Sequence, residues 1–218
     1  MQGVYPVDLL TEDGVPIRGD YYRPIAKHAP GVVLLHGIDH TRWDWQLLAV
    51  RMMAQGFATL AIDLRGAGES GGQPNDPNRL ADVDAAVAFL KAQAEVDPAN
   101  ILLVGANDGS WWALKYASEH SDIRGAALIT PGIRYDERLL KQVMAAYGDR
   151  PIFIAVSDNP AIGDDNAVKV ARLLDELAAG PHELVILDDN AWGIGLLMQE
   201  NGLAARLLDW MEDMEQIP

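Results

Sequence analysis

The feature that most limits the fold of this chain is the alternation of short apolar runs with segments of helical period. The apolar runs lie at residues 31–37, 57–64, 101–106, 125–131, 151–157 and 182–188. The helical segments lie at residues 43–55, 79–95, 110–119, 165–178 and 202–211, and none is assigned between the fourth and fifth apolar runs. Strands that are apolar on both faces and alternate with helices predict a doubly wound α/β fold, in which helices flank a mostly parallel sheet.

The N-terminal segment predicts a different local structure. Residues 7–24 alternate in polarity around Asp13 and Gly14, a pair that favours a tight turn. We expect an antiparallel β-hairpin here, at the edge of the sheet. The 218 residues suffice for a sizeable apolar core, and no repeat or linker divides them, so residues 1–218 are predicted to form a single domain.

Charge and composition exclude several classes of function. The formal net charge of −15 argues against nucleic acid and anionic membranes as partners. The absence of cysteine excludes disulfides, thiolate metal sites and cysteine nucleophiles. No apolar run is long enough to span a membrane, and the N-terminus lacks the features of a signal peptide, so a soluble, cytoplasmic protein is expected. Nothing in the composition indicates an oligomeric state.

Metal and cofactor sites have little support in the sequence. His36, Asp39 and His40 share one turn, but no second group of ligands completes a coordination shell. We therefore expect neither a metal nor a cofactor.

Three short motifs each follow a predicted strand. The first is Leu34–Gly37 (Leu-Leu-His-Gly), followed by Ile38, and the second is Asp63–Ser70 (Asp-Leu-Arg-Gly-Ala-Gly-Glu-Ser). The third is Gly105–Gly109 (Gly-Ala-Asn-Asp-Gly). A Gly-x-Ser-x-Gly pattern at such a strand-to-helix turn presents a nucleophilic serine. Here both glycines are present, and Asn107 stands where the serine would be.

In this order, the three motifs resemble those of the α/β-hydrolase superfamily, and the resemblance extends over residues 8–212. Small single-domain members without a large cap, such as esterases and dienelactone hydrolases, are the most similar in length. The resemblance implies that the backbone N–H groups of Ile38 and Asp108 form the frame of an oxyanion hole. It also implies that His36 has a structural role.

The resemblance places the other two members of a catalytic triad after later strands. The histidine position falls on Trp192, and the acid position falls on Asn159 or Pro160, with Asp158 adjacent. A carboxamide nitrogen is not nucleophilic because its lone pair is delocalised, and an indole N–H cannot accept a proton. No histidine follows His182. These changes predict a catalytically degenerate homologue without serine-hydrolase activity, a pseudoenzyme that binds a small ligand or has no catalytic role.

An alternative is a working hydrolase, of esterase or dehalogenase type, that uses unusual groups. An elbow shifted by one residue would make Asp108 the nucleophile, with His40 or Asp158 as the second catalytic group. Asp39 beside His40 would raise the pKa of that imidazole. Asp39 follows the donor Ile38, and Asp108 itself carries the other donor N–H, so the carboxylates of both residues would repel a developing oxyanion.

Tryptophans contribute to the pocket that we predict. Trp111 and Trp112 begin a helix, so we expect one in the core and the other at the mouth of a pocket. The pocket is predicted to include Gly37, Asp39, Trp111 and Trp192. An aromatic lining of this kind suits a small apolar molecule.

Overall fold

The computed structural model describes residues 3–132, 136–159 and 165–216, so Pro160, one of the two expected acid positions, lies outside the described residues. The strands are β1 (Val4–Leu10), β2 (Pro16–Tyr22), β3 (Ala29–Leu35), β4 (Ala58–Ile62), β5 (Val96–Ala106), β6 (Ile123–Ile129), β7 (Ile152–Ser157) and β8 (His182–Leu187). They form one eight-stranded sheet in the order β1-β2-β4-β3-β5-β6-β7-β8.

The direction of the strands matches the sequence prediction. The strands from β4 across to β8 pair in parallel, whereas β1 and β2 form an antiparallel hairpin at the edge. This arrangement confirms the doubly wound α/β fold with an N-terminal edge hairpin. Within the described residues, no connection between strands carries an inserted cap domain.

Helices cover both faces of the sheet. They are α1 (Gln46–Ala54), α2 (Leu80–Lys91), α3 (Asp108–Glu119), α4 (Glu137–Tyr147), α5 (Asp165–Leu177), α6 (Ile194–Leu197) and α7 (Leu203–Gln216). Helices α2 to α5 pack on one face, and α1, α6 and α7 pack on the other. Alternate residues of β3 face opposite sides of the sheet: Val33 packs with α2 to α5, and Val32 packs with α1, α6 and α7. No described helix has both the length and the apolar character that a membrane span requires.

Two elements differ from the sequence prediction. No helix is predicted at α4 from the sequence, but the structure forms one, and Asp136 caps its N-terminus by accepting hydrogen bonds from the N–H groups of Arg138 and Leu139. Strand β5 begins at Val96, five residues before the predicted apolar run, because Val96 pairs with Ala29 of β3.

The order of the strands places a crevice at the carboxyl ends of β3 and β5. From β3 the chain passes through α1 to β4 on one side, and α2 then carries it back to β5 on the other side. Ligands of open α/β sheets bind where the direction of winding reverses in this way. The first and third sequence motifs both end at this crevice.

Candidate functional site

The turn between β5 and α3 is a sharp elbow centred on Asn107. Asn107 has φ 52° and ψ −117°, a conformation that few non-glycine residues adopt, and α3 begins at Asp108. The flanking glycines permit close packing: a Cβ atom on Gly105 would lie 2.2 Å from the carbonyl oxygen of Gly109. The elbow is therefore formed in the expected frame, and the frame shifted onto Asp108 is not formed.

The Asn107 side chain is wedged between two glycines. A Cβ atom on Gly37 would lie 2.8 Å from the Cβ of Asn107, and one on Gly193 would lie 2.0 Å from its Oδ1. Asn107 is only 3% exposed, and neither its Oδ1 nor its Nδ2 has a hydrogen-bond partner in the structure. The carboxamide therefore fills the space beside the elbow without a polar contact.

The turn after β8 reaches the elbow through Gly193. The Gly193 N–H donates to Thr130 Oγ1 at 2.9 Å, and the Asn107 N–H donates to the neighbouring Ile129 carbonyl at 2.9 Å. The end of β6 thus positions both turns. Gly193 is the residue of this turn that lies against the Asn107 carboxamide. Trp192, which occupies the expected histidine position, precedes it in the chain and is half-buried.

The residues at the expected acid position connect β7 to the turn after β8. Asp158 is exposed, and its backbone N–H donates to the Leu187 carbonyl at 2.9 Å. The Asn159 Nδ2 donates to Asn190 Oδ1 at 3.1 Å. These contacts join the ends of two strands and do not involve Asn107.

The carboxylate of Asp108 forms an ion pair. Its Oδ2 accepts hydrogen bonds from Arg79 Nη1 at 2.7 Å and from Trp112 Nε1 at 3.1 Å. The Arg79 guanidinium compensates the negative charge of Asp108, so this carboxylate does not oppose an oxyanion in the way that the sequence predicts. In the alternative hypothesis Asp108 is the nucleophile, and in the structure Oδ2 of its carboxylate accepts these two hydrogen bonds.

His36 is a buried, neutral structural residue, as the resemblance implied. Its Nδ1 lies 2.7 Å from the Gly37 carbonyl, so Nδ1 carries the proton, and Nε2 accepts a hydrogen bond from the Leu64 N–H at 3.0 Å. Burial lowers the pKa of His36 below its ordinary value. The Nδ1 hydrogen bond stays within the turn after β3, and the Nε2 hydrogen bond connects that turn to the loop after β4.

His40 differs from the expectation in its carboxylate partner. Its Nδ1 lies 3.0 Å from Asp44 Oδ2, and this residue, rather than Asp39, faces the imidazole. Asp39 itself is exposed and adopts a positive φ of 61°. Both groups lie at the surface near the end of β3.

A network of buried ion pairs, which the sequence did not reveal, holds the second motif. Arg42 is only 2% exposed, and its guanidinium donates to Asp63 and, at 3.0 Å, to Asp20. Arg65 donates through Nε to Asp82 Oδ1 at 2.8 Å. These charged contacts fix the position of the loop. Its glycines are required as well, because a Cβ atom on Gly66 would lie 2.2 Å from the nitrogen of Pro74 and one on Gly68 would lie 2.1 Å from Asp63 Oδ2.

A cleft of about 440 Å³ opens beside the first motif. Gly37 and Asp39 line it, and Ile38, which is 42% exposed, lies there as well. Trp111, which was also expected, packs against the apolar core on the α3 side of the sheet, and Trp192 is not among the lining residues. The lining consists of His36, Gly37, Ile38, Asp39, His40, Thr41, Gly66, Ala67, Gly68, Pro74, Asn75 and Arg79.

A mostly parallel eight-stranded sheet with an elbow after β5 defines a protein of the α/β-hydrolase class. Residues 26–155 match the family described as "Serine aminopeptidase, S33", and the chain belongs to this family. It is 34% identical over 132 residues to the quorum-quenching protein AidA of Acinetobacter baumannii, a match that covers 57% of this chain and 43% of that protein. The chain therefore matches less than half the length of that relative.

Solved structures with the same fold are distant in sequence. The esterase Pf2001 of Pyrococcus furiosus has a TM-score of 0.79 at 18% identity, covering 96% of this chain and 92% of that one. The α/β hydrolase GrgF of Penicillium sp. sh18 has a TM-score of 0.81 at 15% identity, covering 98% and 99%. These similarities show the fold.

Proposed function

We propose that this member of the hydrolase family has no serine-hydrolase activity and binds a small molecule in the cleft beside Ile38. The observation that carries the proposal is the Asn107 carboxamide, which fills the elbow between Gly37 and Gly193. Acyl transfer by this fold requires an activated hydroxyl and a proton-accepting imidazole. The elbow offers a carboxamide in place of the hydroxyl.

The positions of the histidines support the absence of a base. His36 uses both ring nitrogens in structural hydrogen bonds, and His40 lies against Asp44. The other three histidines lie towards the opposite end of the parallel strands. His28 precedes β3, His182 begins β8, and His120 follows the last residue of α3.

The lining of the cleft indicates the class of ligand. Ile38, Ala67 and Pro74 provide apolar surface, whereas His40 and Arg79 provide polar groups at the same opening. A small, mainly apolar molecule with one polar group fits this mixture. Small esters are the first class to test, because the solved neighbour Pf2001 is an esterase.

The absence of serine-hydrolase activity is tested with a fluorophosphonate probe and a panel of short-chain p-nitrophenyl esters. Both assays should give background signals for the native chain. The Asn107→Ser variant should also remain at background, because no imidazole adjoins the new hydroxyl. Stoichiometric labelling of any residue in 105–110 of the native chain would refute this part of the proposal.

Ligand binding is tested by thermal unfolding with a panel of small esters and their ketone analogues. A bound compound should raise Tm in proportion to the logarithm of its concentration above Kd. Ala67→Trp would fill the cleft and should abolish the shift, while Ala145→Trp, on the exposed surface of α4, serves as the matched control. The cleft is the wrong site if Ala67→Trp leaves the shift intact, and the ligand class is wrong if no compound binds.

A further inference from the structure

The backbone conformation of Asn107 has a chemical consequence that is separate from ligand binding. Around the Cα–C axis of an L-residue, the Cβ bond is displaced by about 120° from the Cα–N bond. A ψ of −117° therefore brings Cβ almost into eclipse with the backbone nitrogen of Asp108. The atoms Cβ, Cα and C of Asn107 and the nitrogen of Asp108 consequently lie close to one plane.

This plane is the one that a succinimide ring requires. The five-membered ring contains Cγ, Cβ, Cα and C of an asparagine together with the nitrogen of the next residue. In helices and strands ψ lies far from this value, so an asparagine there must first distort the backbone. At Asn107 the fold has already imposed the required torsion.

We propose that Asn107 is a site of spontaneous deamidation in the folded protein. The Asp108 backbone nitrogen loses its proton and bonds to Cγ of Asn107, and the bond from Cγ to Nδ2 breaks. The released amine takes up a proton and leaves as ammonia. Water then opens the ring at either carbonyl carbon, and the nitrogen regains a proton, which yields aspartate or isoaspartate at position 107.

The surroundings favour the first step. Asp108 is the first residue of α3, where the helix dipole stabilises negative charge on the attacking nitrogen. Neither polar atom of the Asn107 carboxamide has a hydrogen-bond partner, so none must be broken when Nδ2 leaves. The fixed ψ removes part of the entropic cost of closing the ring, and restricting such freedom raises the rates of intramolecular reactions.

Two other asparagines provide internal controls. Asn75 is followed by Asp76, which reproduces the local Asn-Asp sequence in an exposed loop without a positive φ. Asn201 is followed by Gly202, whose nitrogen is the least hindered sterically. In the folded chain, however, the Asn201 Nδ2 donates to Asp189 Oδ2 at 2.9 Å and its Oδ1 accepts from the Leu203 N–H. The fold therefore holds the Asn201 side chain in hydrogen bonds that oppose ring closure, whereas it gives Asn107 the backbone torsion that ring closure requires.

The experiment compares these three sites in native and urea-unfolded protein. Samples are incubated at neutral and mildly alkaline pH in water enriched in oxygen-18, and the products are located by peptide mapping. In native protein we expect modification at Asn107 at least about tenfold faster than at Asn75, with a rate that rises with pH. In unfolded protein Asn201 should be fastest, and Asn107 and Asn75 should become similar.

The Asn107→Gln variant tests the ring chemistry, because glutamine would have to form a six-membered ring. This variant should lose the modification at position 107 and keep the behaviour of Asn75 and Asn201. Hydroxylamine added to native protein should trap the cyclic imide at position 107. The proposal is overturned if native Asn107 reacts no faster than native Asn75, or if unfolding accelerates its reaction.

Discussion

Two glycines from separate parts of the chain make room for the Asn107 side chain. Gly193→Ala would place a methyl group 2.0 Å from the Asn107 Oδ1 and would add the strain of a positive φ. We expect a loss of about 2–4 kcal/mol in the free energy of unfolding, measured by urea denaturation. Asn107→Ala in the same chain should restore part of this loss, since it removes the clashing atoms.

Gly148→Ala is the matched control for this substitution. Gly148 also has a positive φ, of 76°, but nothing lies within 4 Å of the position of its missing Cβ. The loss in the free energy of unfolding should therefore be limited to the conformational cost of about 1–3 kcal/mol at φ 76° and ψ −144°, and should not change with residue 107. Equal losses at both glycines would contradict the close contact between Gly193 and Asn107.

His36 predicts a pH dependence of stability. Its pKa is lowered in the folded protein by burial, whereas in the unfolded chain it is expected near the ordinary value of about 6.5. Above this pH both states are neutral, and below it only the unfolded state takes up the proton. The free energy of unfolding should therefore fall by up to about 1.4 kcal/mol per pH unit as the pH decreases from about 6.5 towards the folded pKa.

Urea denaturation between about pH 8 and pH 5.5 measures this slope. His36→Gln disturbs the two buried hydrogen bonds of the imidazole, so the variant should be less stable at high pH. Because glutamine does not titrate, the variant should also lack the part of the slope that His36 contributes. His182→Gln, at an exposed histidine, should keep the slope. An unchanged slope in His36→Gln would show that His36 is not the group responsible.

Residues that carry a local signal were predictable, and residues that act through distant contacts were not. The glycine spacing around Asn107 identified the elbow, because the turn itself requires those glycines. The resemblance places the turn that contains Trp192 near Asn107. Nothing local marks Gly193 as the residue in contact, because this depends on how that turn folds against the elbow. The pairing of Asp108 with Arg79 likewise depends on how α2 packs beside α3.

At the scale of elements, the loop that follows β4 is held by buried ion pairs as well as by the packing of Leu64 in the core. Removing Arg42 would leave Asp20 and Asp63 buried without their cation. We expect Arg42→Met to lower the free energy of unfolding by about 3–5 kcal/mol in urea denaturation, because an unpaired buried charge is costly. Lys141→Met breaks the exposed pair with Glu137 and should cost less than about 1 kcal/mol. Similar losses in both variants would show that burial does not increase the contribution of the Arg42 ion pairs to the free energy of unfolding.

Strands were easier to predict than helices in this chain. Strand β3 is buried along its whole length, so its sequence is a continuous apolar run. Helix α4 buries one face through Leu140, Val143, Met144 and Tyr147, with polar residues between them. This spacing and the capping residue Asp136 can both be read from the sequence. The polar residues between the buried positions, however, make the apolar pattern weaker than that of a strand. The early start of β5 depends on pairing with β3 and has no local signal.

At the scale of the whole molecule, the sheet has a protected centre and an open edge. Strand β3 is hydrogen-bonded to β4 on one side and β5 on the other, with helices over both faces. Strand β1 pairs only with β2, and half-buried and exposed residues make up most of its length. We therefore expect the core to open only on global unfolding and the hairpin strand to separate locally.

Native-state hydrogen exchange measures this difference. The hydrogen-bonded amides of Val32 to Leu35 should exchange with the free energy of global unfolding, and their exchange should depend steeply on denaturant. Those of β1 should exchange with a smaller free energy and a shallow dependence, because opening one edge strand exposes little surface. If β1 exchanged with the same free energy and slope as β3, the hairpin would be part of the same cooperative unit. The crevice at the ends of β3 and β5 would then rest on a scaffold that unfolds only as a whole.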